Sequence, residues 1–155
     1  MPKGQKDLEL HQKFLELNDK YFDNFISKNL IVSKSKRLTR RAGSCYFYVY
    51  PNGVVRPLEI CVSEKYIEKY PFEIESVLLH EMIHIKLGNT NHGPDFLKEL
   101  EYLNSTFNLD IKVMGLDMQY FYRCKNCGKV FCLMEKINPL FYLCNDCNFE
   151  IEEIV

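Results

Sequence analysis

The chain has 155 residues, of which 46% are hydrophobic and 26% are charged, and its net charge at pH 7 is −1. This composition is typical of a soluble globular protein and excludes a disordered chain. The length allows one compact domain with its own core and a small appended module. The apolar runs are far too short to span a membrane, and no apolar segment follows residues 1–6 as it would in a secretory signal. We therefore expect a cytoplasmic protein with no membrane partner.

Basic residues are concentrated in one part of the chain. Between Asp23 and Glu59 there is no acidic residue, whereas seven Lys and Arg residues fall there. A run of one sign is commonly a solvated face, but it is also the charge distribution that binds phosphate groups. The candidates for nucleic-acid contact, which we call the basic segment, are Lys34, Lys36, Arg37, Arg40 and Arg41.

The first half of the chain predicts one helix and a hairpin. Apolar residues recur at steps of three and four and predict an amphipathic helix over residues 7–27. Two strand-like runs, residues 45–50 and 54–62, flank Pro51-Asn52-Gly53, and an Asn-Gly step in such a context predicts a hairpin turn. Pro57 indicates that the second strand lies partly at a sheet edge. We expect that strand to be the edge along which an extended peptide substrate binds.

Three tyrosines share one face of the first hairpin strand, because side chains alternate along a strand. They are Tyr46, Tyr48 and Tyr50. Beside the basic segment they either stack on exposed bases or pack within the sheet.

Two helices are predicted in the second half. A nearly continuous apolar pattern predicts a buried helix over residues 72–87, between Pro71 and Gly88. A polar loop at residues 89–93 leads to a third helix that begins at Pro94. Residues 108–113 form a candidate short strand.

Residues 115–119 are interpreted as the junction between two modules. The predicted organisation is therefore an α+β domain over residues 1–118, made of helices and a small antiparallel sheet, followed by a cysteine module over residues 119–155. We expect the two modules to pack together.

The buried helix carries the run His80-Glu81-Met82-Ile83-His84. Residues four apart lie on one helix face, so both imidazoles can reach a single ion. Glu81 lies one step further round, where its carboxylate can take a proton from a water that the metal activates. Two histidines that bracket a Glu in an apolar helix are hard to explain as merely buried polar groups. The spacing therefore predicts a catalytic zinc site with Glu81 as the general base.

A catalytic zinc requires a third protein ligand and one open position. His92 follows His84 by eight residues, beyond a glycine-marked turn, so its loop can fold back to the ion. Glu99 and Glu101 on the following helix are the alternatives. We favour His92, since its loop is short and His is the commoner zinc ligand.

Four of the seven cysteines form two pairs with the spacing of a second zinc site. They are Cys124, Cys127, Cys144 and Cys147. Two Cys-x-x-Cys knuckles separated by sixteen residues predict a closed site of four thiolates, which is structural because no position remains open. Each knuckle needs a residue with a permissive backbone just beyond its second cysteine, and Gly128 and Asn148 are expected to supply it. Residues 130–134 and 140–143 are expected to form a hairpin between the knuckles. No chemistry is assigned to Cys45, Cys61 or Cys132.

These motifs together resemble the SprT-like (Spartan) family of metalloproteases. The resemblance rests on the metal-binding run, on His92-Gly93-Pro94-Asp95-Phe96, on Arg41-Ala42-Gly43-Ser44-Cys45 and on the ribbon opening at Tyr122-Arg123-Cys124. The short loop before His92 is similar to that of the compact prokaryotic form. The resemblance implies a zincin-like domain with a C-terminal zinc ribbon, in which zinc is bound by His80, His84 and His92. It also implies cleavage of proteins that are bound or cross-linked to DNA, with DNA as the activator.

Three functions remain in competition on the sequence. The first is a zinc protease that acts on protein substrates associated with DNA, single-stranded or frayed. The second is a non-catalytic nucleic-acid or protein adaptor with two structural zincs. The third is a zinc peptidase unrelated to DNA. Glu81 favours the two enzymatic functions, because a structural site needs no general base.

Overall fold

The computed structural model describes residues 6–39, 41–113, 120–133 and 136–154. The chain divides into two compact units, residues 1–115 and 116–155. Helices and two three-stranded sheets make up the described part, which is an α+β architecture. The predicted junction at residues 115–119 lies outside the described residues, as does Met134. No helix within the described ranges is long and apolar enough to cross a membrane.

The first unit begins with helix α1, Leu8–Phe22. The side chain of Asp7 caps its first turn by accepting a hydrogen bond from the Leu10 N–H at 2.9 Å. The helix is shorter than predicted because Asp23 takes a left-handed conformation, with φ of 50°. Beyond it the chain reverses, and the Asn18 side chain holds both the N–H and the carbonyl of Ile26, at 3.2 and 2.8 Å.

The sheet of the first unit has three strands in the order β1-β3-β2. They are β1 (Ile31–Ser35), β2 (Gly43–Val49) and β3 (Val55–Ser63). β2 and β3 form the predicted antiparallel hairpin, whereas β1 pairs with β3 in parallel. The prediction of an antiparallel sheet with β3 at its edge was therefore wrong. β1 is short and continues into polar residues after Ile31 and Val32, so the sequence analysis assigned no strand there, and only its long-range pairing places β3 in the centre.

Pro57 is accommodated without a central-strand hydrogen bond. β1 pairs with β3 only from Glu59 onwards, so Pro57 lies beyond the parallel ladder. On the other side, the register between β2 and β3 shifts between Tyr46 and Phe47, opposite Pro57. The proline thus marks an irregular, one-sided stretch of a central strand.

Three helices follow the sheet. They are α2 (Glu64–Lys69), which the sequence analysis did not predict, α3 (Ile74–Leu87) and α4 (Pro94–Phe107). Gly88 ends α3 with φ of 70°, as its position in the sequence predicts. Asn108 ends α4 in the same way, with φ of 53°. The predicted strand at residues 108–113 was wrong, because the segment is fixed by side chains of α3 and α4 and pairs with no described strand.

The core lies between α3 and one face of the sheet. Val32, Ile60 and Val62 project from that face and are fully buried, as is Met82 of α3. The backbone of β2 approaches α3 closely at Gly43, where an added Cβ would lie 2.8 Å from Val77 Cγ1. The core therefore holds α3, and the histidines that it carries, against the hairpin.

The second unit is a three-stranded antiparallel sheet in the order β5-β4-β6. Its strands are β4 (Tyr120–Cys124), β5 (Val130–Leu133) and β6 (Ile151–Ile154). The predicted hairpin between residues 130–134 and 140–143 was wrong, since β5 pairs with β4 instead. Residues 139–141 form a 3-10 turn, because Pro139 favours that conformation and the Asn138 side chain caps it.

Candidate metal centre and catalytic site

α3 and the loop that follows it bring three imidazoles together. The Nε2 atoms of His80, His84 and His92, which we call the His cluster, form a triangle with sides of 3.1, 3.2 and 3.2 Å. His80 and His84 lie one helical turn apart on α3, and His92 reaches them from the loop before α4. The structure thus brings His92 to the other two, as the shortness of its loop predicts.

The opposite sides of two of these rings are held by backbone carbonyls. His80 Nδ1 lies 2.7 Å from the Lys112 carbonyl oxygen, and His84 Nδ1 lies 3.1 Å from that of Asn89. A carbonyl can only accept, so both Nδ1 atoms carry the proton and both Nε2 atoms keep a lone pair. This is the second-sphere arrangement of metal-binding histidines.

The Nε2 lone pairs of His80 and His84 face each other, an arrangement that favours a cation between them. Burial lowers the pKa of His80 and of His84 to about 4, so both rings are neutral near pH 7. Two neutral acceptors at 3.2 Å form no hydrogen bond. Nitrogens bound to one tetrahedral zinc at about 2.0–2.1 Å are separated by roughly 3.3 Å, close to the observed sides. The donor set and its spacing therefore fit zinc.

Glu81 is buried beside the His cluster. Its side chain is only 7% exposed, and burial raises its pKa to about 7, an effect that a hydrogen bond with Cys45 and the charge of Arg41 partly offset. A carboxyl group with a pKa near neutrality can both accept and release a proton at physiological pH. The environment of Glu81 is therefore suited to general acid–base chemistry.

The two alternative third ligands lie elsewhere. Glu99 forms an ion pair with Lys86, with 2.6 Å between the Nζ and Oε1 atoms. Glu101 is exposed on α4. Among the described residues, His92 is the group whose donor atom joins those of His80 and His84.

The four knuckle cysteines converge in the second unit. Their sulfur atoms, which we call the Cys cluster, all lie within 4.8 Å of one another, with 3.4 Å between Cys124 and Cys147 and 3.7 Å between Cys127 and Cys144. Thiolates bound to zinc at about 2.3 Å in a tetrahedron are roughly 3.8 Å apart, so this set also fits zinc.

The backbone of the first knuckle favours a thiolate. Burial raises the pKa of Cys124, but the N–H groups of Cys127 and Asn126 point at its sulfur and lower the pKa to about 6. Gly128 and Asn148 follow the two knuckles with φ of 76° and 55°, the left-handed turns that the sequence predicts.

Comparison with known proteins identifies the first unit. The model of the SprT-like family matches residues 10–115, which include Glu81 and the whole His cluster. The chain belongs to the SprT-like family.

This SprT-like chain is similar in sequence to named proteins from animals and bacteria. It is 33% identical to the DNA-dependent metalloprotease SPRTN of Xenopus tropicalis and 32% identical to that of Homo sapiens, in each case over 113 residues and 68% of this chain. It is also 29% identical to the Protein SprT-like of Lactococcus lactis over 80 residues, which are 48% of this chain. These matches cover 25%, 22% and 54% of the respective relatives. The chain thus spans about a quarter of the SPRTN proteins and about half of the Lactococcus protein.

The basic segment of the SprT-like chain is exposed where the structure describes it. Lys36 and Arg37 are exposed, Lys34 is 3.5 Å from Asp7 in an ion pair, and Arg40 lies outside the described residues. Arg41 is exposed and its charge acts on the pKa of both Glu81 and His92, so it lies near the His cluster. Tyr46, Tyr48 and Tyr50 are 44%, 55% and 38% exposed, which leaves their rings accessible.

The sequence analysis missed two side chains of the site. Phe96 is fully buried, and its ring centroid lies 4.9, 4.6 and 4.8 Å from those of His80, His84 and His92. Cys45, to which no chemistry was assigned, forms a hydrogen bond with Glu81. In the sequence Phe96 was noted only as part of the His92-Gly93-Pro94-Asp95-Phe96 element, with no role of its own, and that element was the one available signal. Cys61 instead donates to the buried Glu59 at 2.8 Å, and the side chain of Cys132 lies outside the described residues.

Proposed function

We propose that this chain is a zinc-dependent metalloprotease that cleaves proteins bound or cross-linked to DNA. His80, His84 and His92 hold the catalytic zinc of a zincin-like domain over residues 1–118. The four sulfurs of the Cys cluster hold a structural zinc in a ribbon over residues 119–155. The observation that carries the proposal is the triangle of Nε2 atoms with the buried Glu81 beside it.

The chemistry follows from the groups around the His cluster. When bound, zinc supplies a Lewis acid that lowers the pKa of water to about 7. The Glu81 carboxylate takes the proton of the attacking water on one of its oxygens and later returns it to the amine nitrogen that leaves. The carbonyls of Lys112 and Asn89 hold two imidazoles in the tautomer that binds metal. Cys45 supports the charged state of Glu81 through its hydrogen bond.

Two observations support a DNA partner. The relatives from Xenopus tropicalis and Homo sapiens are named as DNA-dependent metalloproteases. The basic segment and the exposed faces of Tyr46, Tyr48 and Tyr50 offer phosphate contacts and stacking surfaces, a combination suited to single-stranded or frayed DNA. The second unit contributes little charge to such binding, because Lys125, Lys129 and Lys136 are each paired with a carboxylate.

The deciding experiment compares the wild type with Glu81→Gln on a DNA-bound protein substrate, with and without single-stranded DNA. We expect cleavage that requires both Glu81 and DNA, at full zinc content in both proteins. Cleavage that requires Glu81 but not DNA would support the peptidase unrelated to DNA. No cleavage by the wild type under any condition would support the adaptor.

The number of zinc ions bound per chain distinguishes the catalytic function from the adaptor function without an activity assay. We expect two zincs per chain, of which mild chelation removes one, because three ligands and an open position hold metal less firmly than four thiolates. The variant His92→Ala should lose only the labile zinc. A single zinc that resists chelation would contradict the catalytic site.

DNA contact is tested by charge reversal in the basic segment. Arg37→Glu should weaken the binding of single-stranded DNA and flatten its salt dependence, because each phosphate contact releases a counterion. Lys13→Glu, a charge reversal at a partly exposed position on α1 outside the basic segment, is the matched control. Equal DNA affinity for the two variants would remove the basic segment from the proposal.

A further inference from the structure

The segment after α4 returns to α3 and supports the metal site. Residues 110–112 lie along one turn of α3, between Ser76 and His80. Ser76 Oγ accepts a hydrogen bond from the Lys112 N–H at 3.2 Å and donates one to the Asp110 carbonyl at 3.3 Å. The Lys112 carbonyl then accepts from His80 Nδ1 at 2.7 Å. The orientation of the His80 ring thus depends on where this segment lies.

The segment itself is clamped by one side chain of α4. Asn104 Oδ1 accepts from the Ile111 N–H at 2.8 Å, and Asn104 Nδ2 donates to the Ile111 carbonyl at 3.2 Å. The backbone carbonyl of Asn104 also accepts from Leu109 N–H at 3.0 Å. The clamp holds Ile111 from both sides of its backbone, immediately before the carbonyl that His80 uses.

The same device occurs at the end of α1, away from the His cluster. Asn18 clamps Ile26 with hydrogen bonds of 3.2 and 2.8 Å, and its carbonyl accepts from Asn24 N–H at 2.9 Å. In both places a left-handed residue ends the helix and the clamped Ile is buried. Both clamps fix the chain that leaves a helix, but among the described contacts the clamp of Asn104 is the one that adjoins a residue bonded to an imidazole.

We propose that Asn104 is a positioning residue of the metal site, which acts through Ile111 and the Lys112 carbonyl on the His80 imidazole. The inference rests on the proposed function in that it takes His80 as a metal ligand. The clamp fixes the carbonyl, the carbonyl fixes the Nδ1–H tautomer and the plane of the ring, and the ring then presents its Nε2 lone pair to the centre of the His cluster. A helix that carries none of the zinc ligands thereby sets the affinity of the site.

The test is the substitution Asn104→Asp with Asn18→Asp as its matched control. Aspartate has the shape of asparagine and still accepts from the backbone N–H, but it cannot donate to the carbonyl of Ile111 or Ile26. Both variants should lower the melting temperature, and Asn18→Asp should lower it more, because Asn18 is fully buried whereas Asn104 is half-buried. Asn104→Asp alone should weaken zinc binding at the His cluster, by about tenfold, the lower end of the loss found for second-sphere changes. Zinc in the Cys cluster is the internal reference and should be unaffected in both.

A second measurement reads the ring directly. Nitrogen NMR of the metal-free protein should show His80 protonated at Nδ1 in the wild type and in Asn18→Asp, and mixed tautomers in Asn104→Asp. Equal zinc affinity for the two variants, or an unchanged His80 tautomer in Asn104→Asp, would overturn the proposal. A wild type whose His cluster takes up no zinc would overturn the proposed function instead, while the tautomer measurement would still decide the role of Asn104.

A milder variant covers the case in which Asn104→Asp does not fold. Ser76→Ala removes the group that receives the Lys112 N–H, whereas Ser105→Ala removes a hydroxyl that bonds only within α4, to the Glu101 carbonyl at 2.6 Å. Zinc affinity should fall for Ser76→Ala and not for Ser105→Ala. The reverse order, or no difference, would contradict a role for this segment in positioning His80.

Discussion

The substitution Phe96→Ala should separate the stability of the fold from the affinity of the metal site. The Phe96 ring is fully buried and packs against all three imidazoles, with centroid distances of 4.6 to 4.9 Å. A Phe→Ala change in a core costs about 3–5 kcal/mol, from lost transfer energy and from the cavity that remains. That is a large share of the roughly 5–15 kcal/mol by which a domain is stable.

The same cavity removes the wall that orients the imidazoles. We expect the zinc affinity of the His cluster to fall by at least tenfold, which corresponds to about 1.4 kcal/mol. The loss of unfolding free energy should therefore be larger by about that amount in zinc-loaded protein than in metal-free protein, because zinc binds only the folded site.

The matched control is Leu103→Ala on the same helix. Leu103 is also fully buried, and its truncation should cost about 2–5 kcal/mol without a change in zinc affinity. Chelator competition gives the affinity, and urea unfolding followed at the amides of α3 gives the stability. If Leu103→Ala weakened zinc binding as much as Phe96→Ala, the packing of the Phe96 ring would not be what supports the site.

Three further predictions concern pH, ligand choice and packing. Between about pH 4.5 and 6.5 the unfolded chain binds protons at His80 and His84, whose folded pKa is about 4, while the folded chain binds one at Glu81, whose pKa is about 7. These three groups together take up a net one proton on unfolding, and they should contribute a loss of about 1.4 kcal/mol per pH unit when the metal-free protein is acidified; urea unfolding of His84→Asn should show a shallower slope. Glu99→Gln should leave the zinc affinity of the His cluster unchanged, because the Glu99 carboxylate pairs with Lys86. A lower zinc affinity in chelator competition would indicate that Glu99 is a ligand after all. Gly43→Ala should lower the free energy of unfolding of the first unit, measured in urea, by about 1–3 kcal/mol, because the new Cβ would lie 2.8 Å from Val77 Cγ1 and 3.2 Å from the Cys61 carbonyl oxygen. An unchanged free energy of unfolding would mean that β2 can shift away from α3 without cost.

The parts of the fold that the sequence predicted are those with local signals. The three long helices follow from apolar residues at helical spacing. α3 begins two residues later than predicted and ends at the predicted residue, and α4 begins at Pro94 as predicted. The β2–β3 hairpin follows from its Asn-Gly turn. The knuckle turns at Gly128 and Asn148 follow from the need for a left-handed residue after each Cys-x-x-Cys pair.

The errors arose where pairing is long-range. Nothing in the short sequence of β1 shows that it pairs with β3 in parallel, so the strand expected at the edge is central. The segment at residues 108–113 was expected to be a strand, but its backbone groups are bound by the Asn104 and Ser76 side chains.

The sequence by itself determined which chemistry the chain can carry. Helical periodicity places His80 and His84 on one face whatever the rest of the fold does, and the spacing of the four cysteines does the same for the second site. The tertiary structure alone decided how those groups are held. The packing of Phe96 beneath three rings and the carbonyl of Lys112 behind His80 both depend on contacts between separate elements of the first unit. Such contacts form because burial and backbone hydrogen bonding are satisfied over the whole unit at once, and no local pattern encodes that.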